Sequence, residues 1–135
     1  MISVLDTTAF SAAMRHEPGV EEFLRSRTPG EVATVAPVVA EIEYGIQRIE
    51  ASSRKRTLLE SERNRLLAVV KVLPWTAESS RLFGSIKAGL ERSGELIDDF
   101  DIAIAAIAMS HDAGVLTANL AHFRRVPGLS ANHWE

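Results

Sequence analysis

The stretch Ile2-Ser3-Val4-Leu5-Asp6-Thr7-Thr8 decides the fold. Its first four residues are mostly apolar and β-favouring, and they read as a short buried strand of the kind found in parallel sheets. Asp6 ends the strand, and Thr7 or Thr8 can cap a helix over Ala9–His16. Pro18-Gly19 breaks that helix, and Val20–Arg27 reads as another. The pattern then repeats. Val32–Ala36 reads as a second strand, and Pro37 suits the first turn of a helix, where its missing donor costs nothing. That helix runs to about Glu50, with Val38, Ile42, Ile46 and Ile49 on one stripe.

Downstream, Ser52-Ser53 can cap a charged helix from Arg54 to about Val70, with Leu58, Leu59, Leu66, Leu67 and Val70 as its apolar side. Val70–Leu73 reads as a third strand closed by Pro74. Thr76–Gly94 is a helix with Gly94 as its C-terminal stop. Asp98 or Asp99 caps a helix to Ala113, and its Phe100–Met109 run, apolar almost all round, belongs inside the core. Val115–Thr117 is a short strand, Asn119–Phe123 one helical turn, and the tail adds an edge strand. Strands alternating with helices predict one α/β domain over residues 1–135, with a central parallel sheet of four or five short strands and helices on both faces. Such sheets carry their sites at the carboxyl ends of the strands. Asp6 and Asn119 share that edge.

Composition narrows the chemistry. The chain has 135 residues, 46% hydrophobic and 24% charged, which excludes wholesale disorder. It has no cysteine, so a thiol nucleophile, a disulfide scaffold and thiolate zinc sites are excluded. The net charge of −3 means that nucleic acid would have to be gripped by local patches. The N-terminus lacks a basic export region, and the longest apolar run is eight residues, so the expectation is a soluble cytoplasmic protein.

Acids stand out. Asp6 ends a strand, Glu41 and Glu43 interrupt an apolar helix start, and Asp98 and Asp101 share a helix face. Singly, each has a plain reading as a cap, a rim charge or a favoured N-terminal charge. Together they point elsewhere. Three carboxylates within about 5 Å repel pairwise by roughly 3 kcal/mol at an effective dielectric near 20. A fold holds such a group with a cation, with raised pKa values, or with both. Oxygen-only ligands suit Mg²⁺ or Mn²⁺.

Basic residues gather at Arg54-Lys55-Arg56 with Arg63 and Arg65, and again at Arg124-Arg125. They read either as solvated faces or as phosphate-positioning patches. His16, His111, His122 and His133 show no metal-ligand spacing and read as solvent-facing or capping. Trp75 and Trp134 read as packing groups rather than base-stacking platforms.

The chain resembles the PIN-domain nucleases, and within them the VapC-type toxins of bacterial toxin–antitoxin pairs. Four stretches carry the resemblance: Val4-Leu5-Asp6-Thr7-Thr8; Ala40-Glu41-Ile42-Glu43-Tyr44-Gly45; Asp101-Ile102-Ala103-Ile104-Ala105-Ala106; and Val115-Leu116-Thr117-Ala118-Asn119 with Phe123–Leu129 after it. Val72-Leu73-Pro74-Trp75 adds a weaker fifth. The resemblance implies the three-layer PIN arrangement and a Mg²⁺-dependent endoribonuclease (Mn²⁺ as substitute) cutting tRNA or rRNA. It also implies a homodimer and a cognate VapB-type antitoxin. Asp6, Glu41 and Asp101 match the family's metal-site acids. Where the family's opening is commonly Asp-Thr-Asn, this chain has Thr8. The later site position is Asp or Asn, and here it is Asn119. Asp98 is an accessory acid facing Asp101, and Arg54, Lys55, Arg56, Arg124 and Arg125 are the RNA-binding candidates. Two other readings stand beside it. One is an acid-nucleophile phosphatase or receiver domain, which places Asp after its first strand; the phosphatase wants a second Asp where Thr8 stands. The other is a catalytically idle PIN-like module that binds RNA or protein.

Overall fold

Val4 pairs with Ala33 on one side and Val115 on the other, both in parallel register. That residue lies at the centre of a five-stranded sheet, seen in a computed structural model that describes Met1–Glu135. The strands are β1 (Ser3–Leu5), β2 (Val32–Val35), β3 (Lys71–Leu73), β4 (Gly114–Leu116) and β5 (Ala131–Asn132), in the order β3-β2-β1-β4-β5. All four pairings are parallel. The helices are α1 (Thr7–Met14), α2 (Pro18–Arg25), α3 (Ala36–Gln47), α4 (Arg54–Leu67), α5 (Ala77–Ser93), α6 (Asp99–Ser110) and α7 (Leu120–Phe123). The chain moves outward from β1 to β3 and then crosses back over β1 to β4. Right-handed crossovers therefore put α1–α4 on one face and α5–α6 on the other. This is the three-layer α/β architecture expected, with a fifth strand at the edge. No helix is long and apolar enough to cross a membrane.

The apolar run in α6 is the inner wall of the core. Ile102, Ile104, Ala105, Ala106, Ile107 and Ala108 are fully buried. Phe100, expected in the same run, is exposed because it sits in the first turn, ahead of the buried stretch. In α3, Val38, Ile42 and Ile46 are buried as the stripe predicts. The apolar side of α4 is thinner than expected: Leu66 is buried, but Leu58 is 61% exposed.

Caps set the boundaries. Thr76 and Ser53 accept from backbone N–H groups as N-caps, and Gly94 ends α5 with φ +70°. A left-handed residue suits glycine, which has no Cβ to clash. One cap differs from expectation. Asp6, rather than Thr7 or Thr8, caps α1, accepting from the Ala9 N–H at 2.9 Å. The carboxylate has two acceptor oxygens where a hydroxyl has one, so it can cap the helix and still serve other donors.

Truncating Ile104 to Ala should cost about 3 kcal/mol, because the residue is fully buried in the core. Urea denaturation checks this; an unchanged midpoint would mean that α6 is not the inner wall.

Candidate active site

The order of the sheet reverses between β1 and β4, and the crevice outside their carboxyl ends is where such sheets hold their ligands. Asp6 follows β1 there and is 2% exposed. The Thr8 hydroxyl donates to its Oδ1 at 2.6 Å, beside the Ala9 N–H, and the Thr117 hydroxyl donates to its Oδ2 at 2.5 Å. Burial pushes the Asp6 pKa above its ordinary value, and the hydrogen bonds from Thr117, Thr8 and Ala9 pull against that shift.

Glu41 stands on the second turn of α3, half-buried, and the Thr7 hydroxyl donates to its Oε1 at 2.5 Å. Its pKa is raised by desolvation first, then by the charges of Asp101, Asp98 and Asp6, while Thr7 opposes the shift. Asp101 lies in the first turn of α6, partly buried. Its pKa is also raised, by desolvation and by the charges of Asp98 and Asp6, against the His122 hydrogen bond. The three acids expected to act together therefore share one electrostatic field. Asp98 is an N-cap, accepting from the Phe100 N–H at 2.8 Å, and its charge is felt at both Glu41 and Asp101.

Asn119 sits one side chain back from the acids. Its backbone N–H donates to the Thr117 hydroxyl at 2.7 Å, and its amide meets His122 Nδ1 at 2.8 Å. The same Nδ1 is 3.2 Å from Asp101 Oδ2. One ring nitrogen cannot both accept from an amide N–H and donate to a carboxylate. With the Asn119 amide turned over, Nδ1–H donates to both oxygens.

Several supporting residues escaped the sequence reading. His122 touches Asp101 while its side chain stays 40% exposed; its only signal is its place three residues after Asn119, one helical turn on. His16 spans Glu21 at 3.0 Å and Glu62 at 2.8 Å, so it too is no plain surface histidine. Thr7 and Thr117 were visible as hydroxyls at strand ends. Thr8, in place of the family's asparagine, donates to Asp6 and accepts the Ala118 N–H at 2.9 Å, so it bridges α1 to the end of β4.

Much of each basic patch is engaged within the fold. Arg56 is committed to the end of α3, donating to the Ile49 carbonyl at 3.2 Å and to Gln47 Oε1 at 2.9 Å. Arg63 pairs with Glu43 at 2.6 Å, and Arg65 with Glu62 at 2.9 Å and the Ala13 carbonyl at 2.9 Å. Arg125 donates to the Leu96 carbonyl at 3.1 Å. Arg56 and Arg125 are thus engaged in the fold, because helix ends and loops leave carbonyls that need donors. Arg54, Lys55 and Arg124 are exposed, and Lys55 lines the same groove as Glu41.

No three His, Asp or Glu side chains converge closely enough to cage an ion between them. The donor set is nonetheless all oxygen, and the charges of Asp6 and Asp98 raise the pKa of both Glu41 and Asp101. That fits Mg²⁺, which keeps several waters and needs only one or two direct carboxylates.

A family model described as PIN domain matches residues 3–129. Ribonuclease VapC2 of Haemophilus influenzae is 31% identical over 132 residues, covering 97% of this chain and 96% of that protein. The tRNA(fMet)-specific endonuclease VapC of Shigella flexneri is 26% identical over 131 residues, covering 97% and 96%. The chain also superposes with a TM-score of 0.89 on a chain of the VapBC2 complex from Rickettsia felis bound to a promoter DNA fragment, at 25% identity and with both chains fully covered.

Glu41→Gln should stabilise the protein at pH 7 in EDTA-containing buffer, raising Tm by roughly 2–4 °C. The sign follows from linkage. In the folded state Glu41 binds its proton more tightly than when unfolded, so stability falls as pH rises through the raised folded pKa. Below the ordinary glutamate range the two proteins should melt together. Wild type melting higher than the variant at pH 7 would mean that the acids do not repel.

Proposed function

The chain belongs to the PIN domain family, and from that premise we propose a Mg²⁺-dependent endoribonuclease that hydrolyses a phosphodiester bond in structured RNA, tRNA or rRNA. It is a nuclease of the VapC type, a hydrolase, and its partner is an antitoxin of the VapB type. The observation that carries the catalytic proposal is the gathering of Asp6, Glu41 and Asp101 in one field at the reversal of the sheet.

Asp6 and Asp101 would hold the cation, directly or through water, with Glu41 beside them. When bound, the cation supplies Lewis acidity toward a phosphate oxygen and toward water. The chain's own residues do the positioning. Thr8, Ala9 and Thr117 fix both oxygens of Asp6, and His122 fixes one oxygen of Asp101. Thr7 occupies Glu41 Oε1, which leaves Oε2 to accept a proton from the attacking water. A raised pKa brings Glu41 nearer to neutrality, where a general base works best.

The antitoxin's place is suggested by a groove of about 290 Å³ between α1, α3 and α4. Its floor is Met14, Ile42, Ile46, Ile49 and Leu59, and Glu41 and Thr7 stand in its wall. An amphipathic segment could lay its apolar face there and point an Arg at the carboxylates, displacing the cation. The expected homodimer finds support in another apolar face, lined by Pro37, Trp75, Phe100 and Ala103, on which Trp75 and Phe100 are exposed. Cytoplasmic action belongs to the same proposal.

Asp101→Asn should lower RNA cleavage at least 100-fold while the protein stays folded. Mg²⁺ should raise the wild-type Tm by mass action and raise the variant's less. Expressed without its partner, wild type should arrest growth and the variant should not. Equal cleavage by both proteins would overturn the assignment, and RNA binding without cutting by wild type would favour the idle module. In a separate series, Lys55→Ala should reduce the salt slope of RNA binding by about one. Arg56→Ala should leave the slope alone and lower Tm instead. If Arg56→Ala moves the slope as much as Lys55→Ala, the patch is a phosphate clamp after all.

A further inference from the structure

Beside the acids, on the flank away from α6, lies a cavity of about 540 Å³ that the nuclease chemistry leaves unused. Thr7 and Thr8 form its wall toward the site, and the hydroxyls of these two residues hold Glu41 and Asp6. The cavity is therefore one side chain from the reacting centre. Its far wall is aromatic. The rings of His133 and Trp134 stack with centroids 4.2 Å apart and planes at 24°, and both residues are only partly buried. Trp134 rests against Gly19, where a Cβ would come within 2.8 Å of its Cδ1, and its Nε1 has no hydrogen-bond partner. Packing alone holds the indole there, and the two stacked rings leave a face open only at an end of the stack.

The remaining lining is polar and nearly balanced in charge. Arg15 pairs with Glu17 at 3.0 Å, the Ser11 hydroxyl lies nearby, and Glu135 adds a further acid. A phosphate would meet two carboxylates and one guanidinium, which disfavours it. A neutral heteroaromatic ring meets a stacking face and a donor–acceptor pair for its edge. Stacking on an aromatic side chain suits any base, because every base has a π-face. The volume falls in the range usual for small-molecule pockets.

We propose that this cavity is a nucleobase subsite, which takes the base of a nucleotide flanking the scissile bond, stacks it on the His133–Trp134 wall and reads its edge with Ser11, Arg15 and Glu17. The proposal rests on the ribonuclease reading for the identity of its ligand. It gives the enzyme a means of choosing a cleavage position without using phosphate contacts, which carry no sequence information.

The chain has two tryptophans, so Trp75→Phe leaves Trp134 as the sole reporter. This variant is titrated with the four ribonucleoside 5′-monophosphates and with ribose 5-phosphate. At least one nucleotide should quench Trp134 fluorescence saturably, and ribose 5-phosphate should not. Arg15→Ala and Ser11→Ala should each weaken that binding by about tenfold, the effect of one lost hydrogen bond. In RNA cleavage both should raise KM and leave kcat unchanged. No base-dependent quenching at millimolar nucleotide, or equal quenching by ribose 5-phosphate, would overturn the subsite. A protein that cleaves RNA and shows no such quenching keeps its nuclease assignment and loses the subsite. A protein that binds nucleotides here and never cleaves RNA keeps the subsite and loses the catalytic assignment.

Discussion

Everything at the site depends on keeping a carboxylate buried at the end of β1. Asp6 is almost wholly out of water, and an isolated buried charge would cost several kcal/mol. The cost is met by three donors from two parts of the chain: Thr8 and Ala9 at the start of α1, and Thr117 just after β4. Thr117 lies 111 residues away in sequence. It reaches Asp6 because β1 and β4 are neighbours, and the Asp6 N–H itself extends their ladder to the Leu116 carbonyl at 3.1 Å. Strand order and site are thus one constraint. A sheet that placed β4 elsewhere would leave Asp6 half-satisfied.

The same economy runs through the neighbouring acids. Thr7 and Thr8 are consecutive, and on the first turn of α1 they serve different carboxylates, Glu41 and Asp6. His122 ties Asp101 to the segment that carries Asn119. Hydroxyls and an imidazole can orient a carboxylate without adding a permanent positive charge beside it. An arginine in their place would satisfy the acids and lower their pKa values, and the site would then have less need of a cation. The repulsion that remains is the basis of the proposed metal affinity.

Positive charge is spent elsewhere. Arg56, Arg63, Arg65 and Arg125 pin helix ends, a loop and neighbouring helices to one another, leaving Arg54, Lys55 and Arg124 among the exposed cations near the site. A protein of net charge −3 cannot hold RNA by bulk attraction. Affinity and register have to come from close contacts around the acids, which is where an aromatic-walled cavity would matter.

The sequence by itself determined the layered α/β fold and the alternation of strands and helices along the chain, and it singled out Asp6, Glu41 and Asp101 as candidate acids. Those features are local: strand runs end in turn residues, α6 is apolar almost all round, and acids interrupt otherwise apolar helix starts. Their meaning also survived in short motifs that keep family order. Only the tertiary structure decided which polar groups serve those acids and which cations are free. Thr117 reads as a strand-end threonine and His122 as a surface histidine until β4 is set beside β1 and α7 is set beside α6. Arg56 and Lys55 are adjacent and alike in sequence, yet one bonds the Ile49 carbonyl just past α3 and the other lines the groove. A residue's type fixes what bonds it can make; the packing of distant segments fixes which of those bonds it does make.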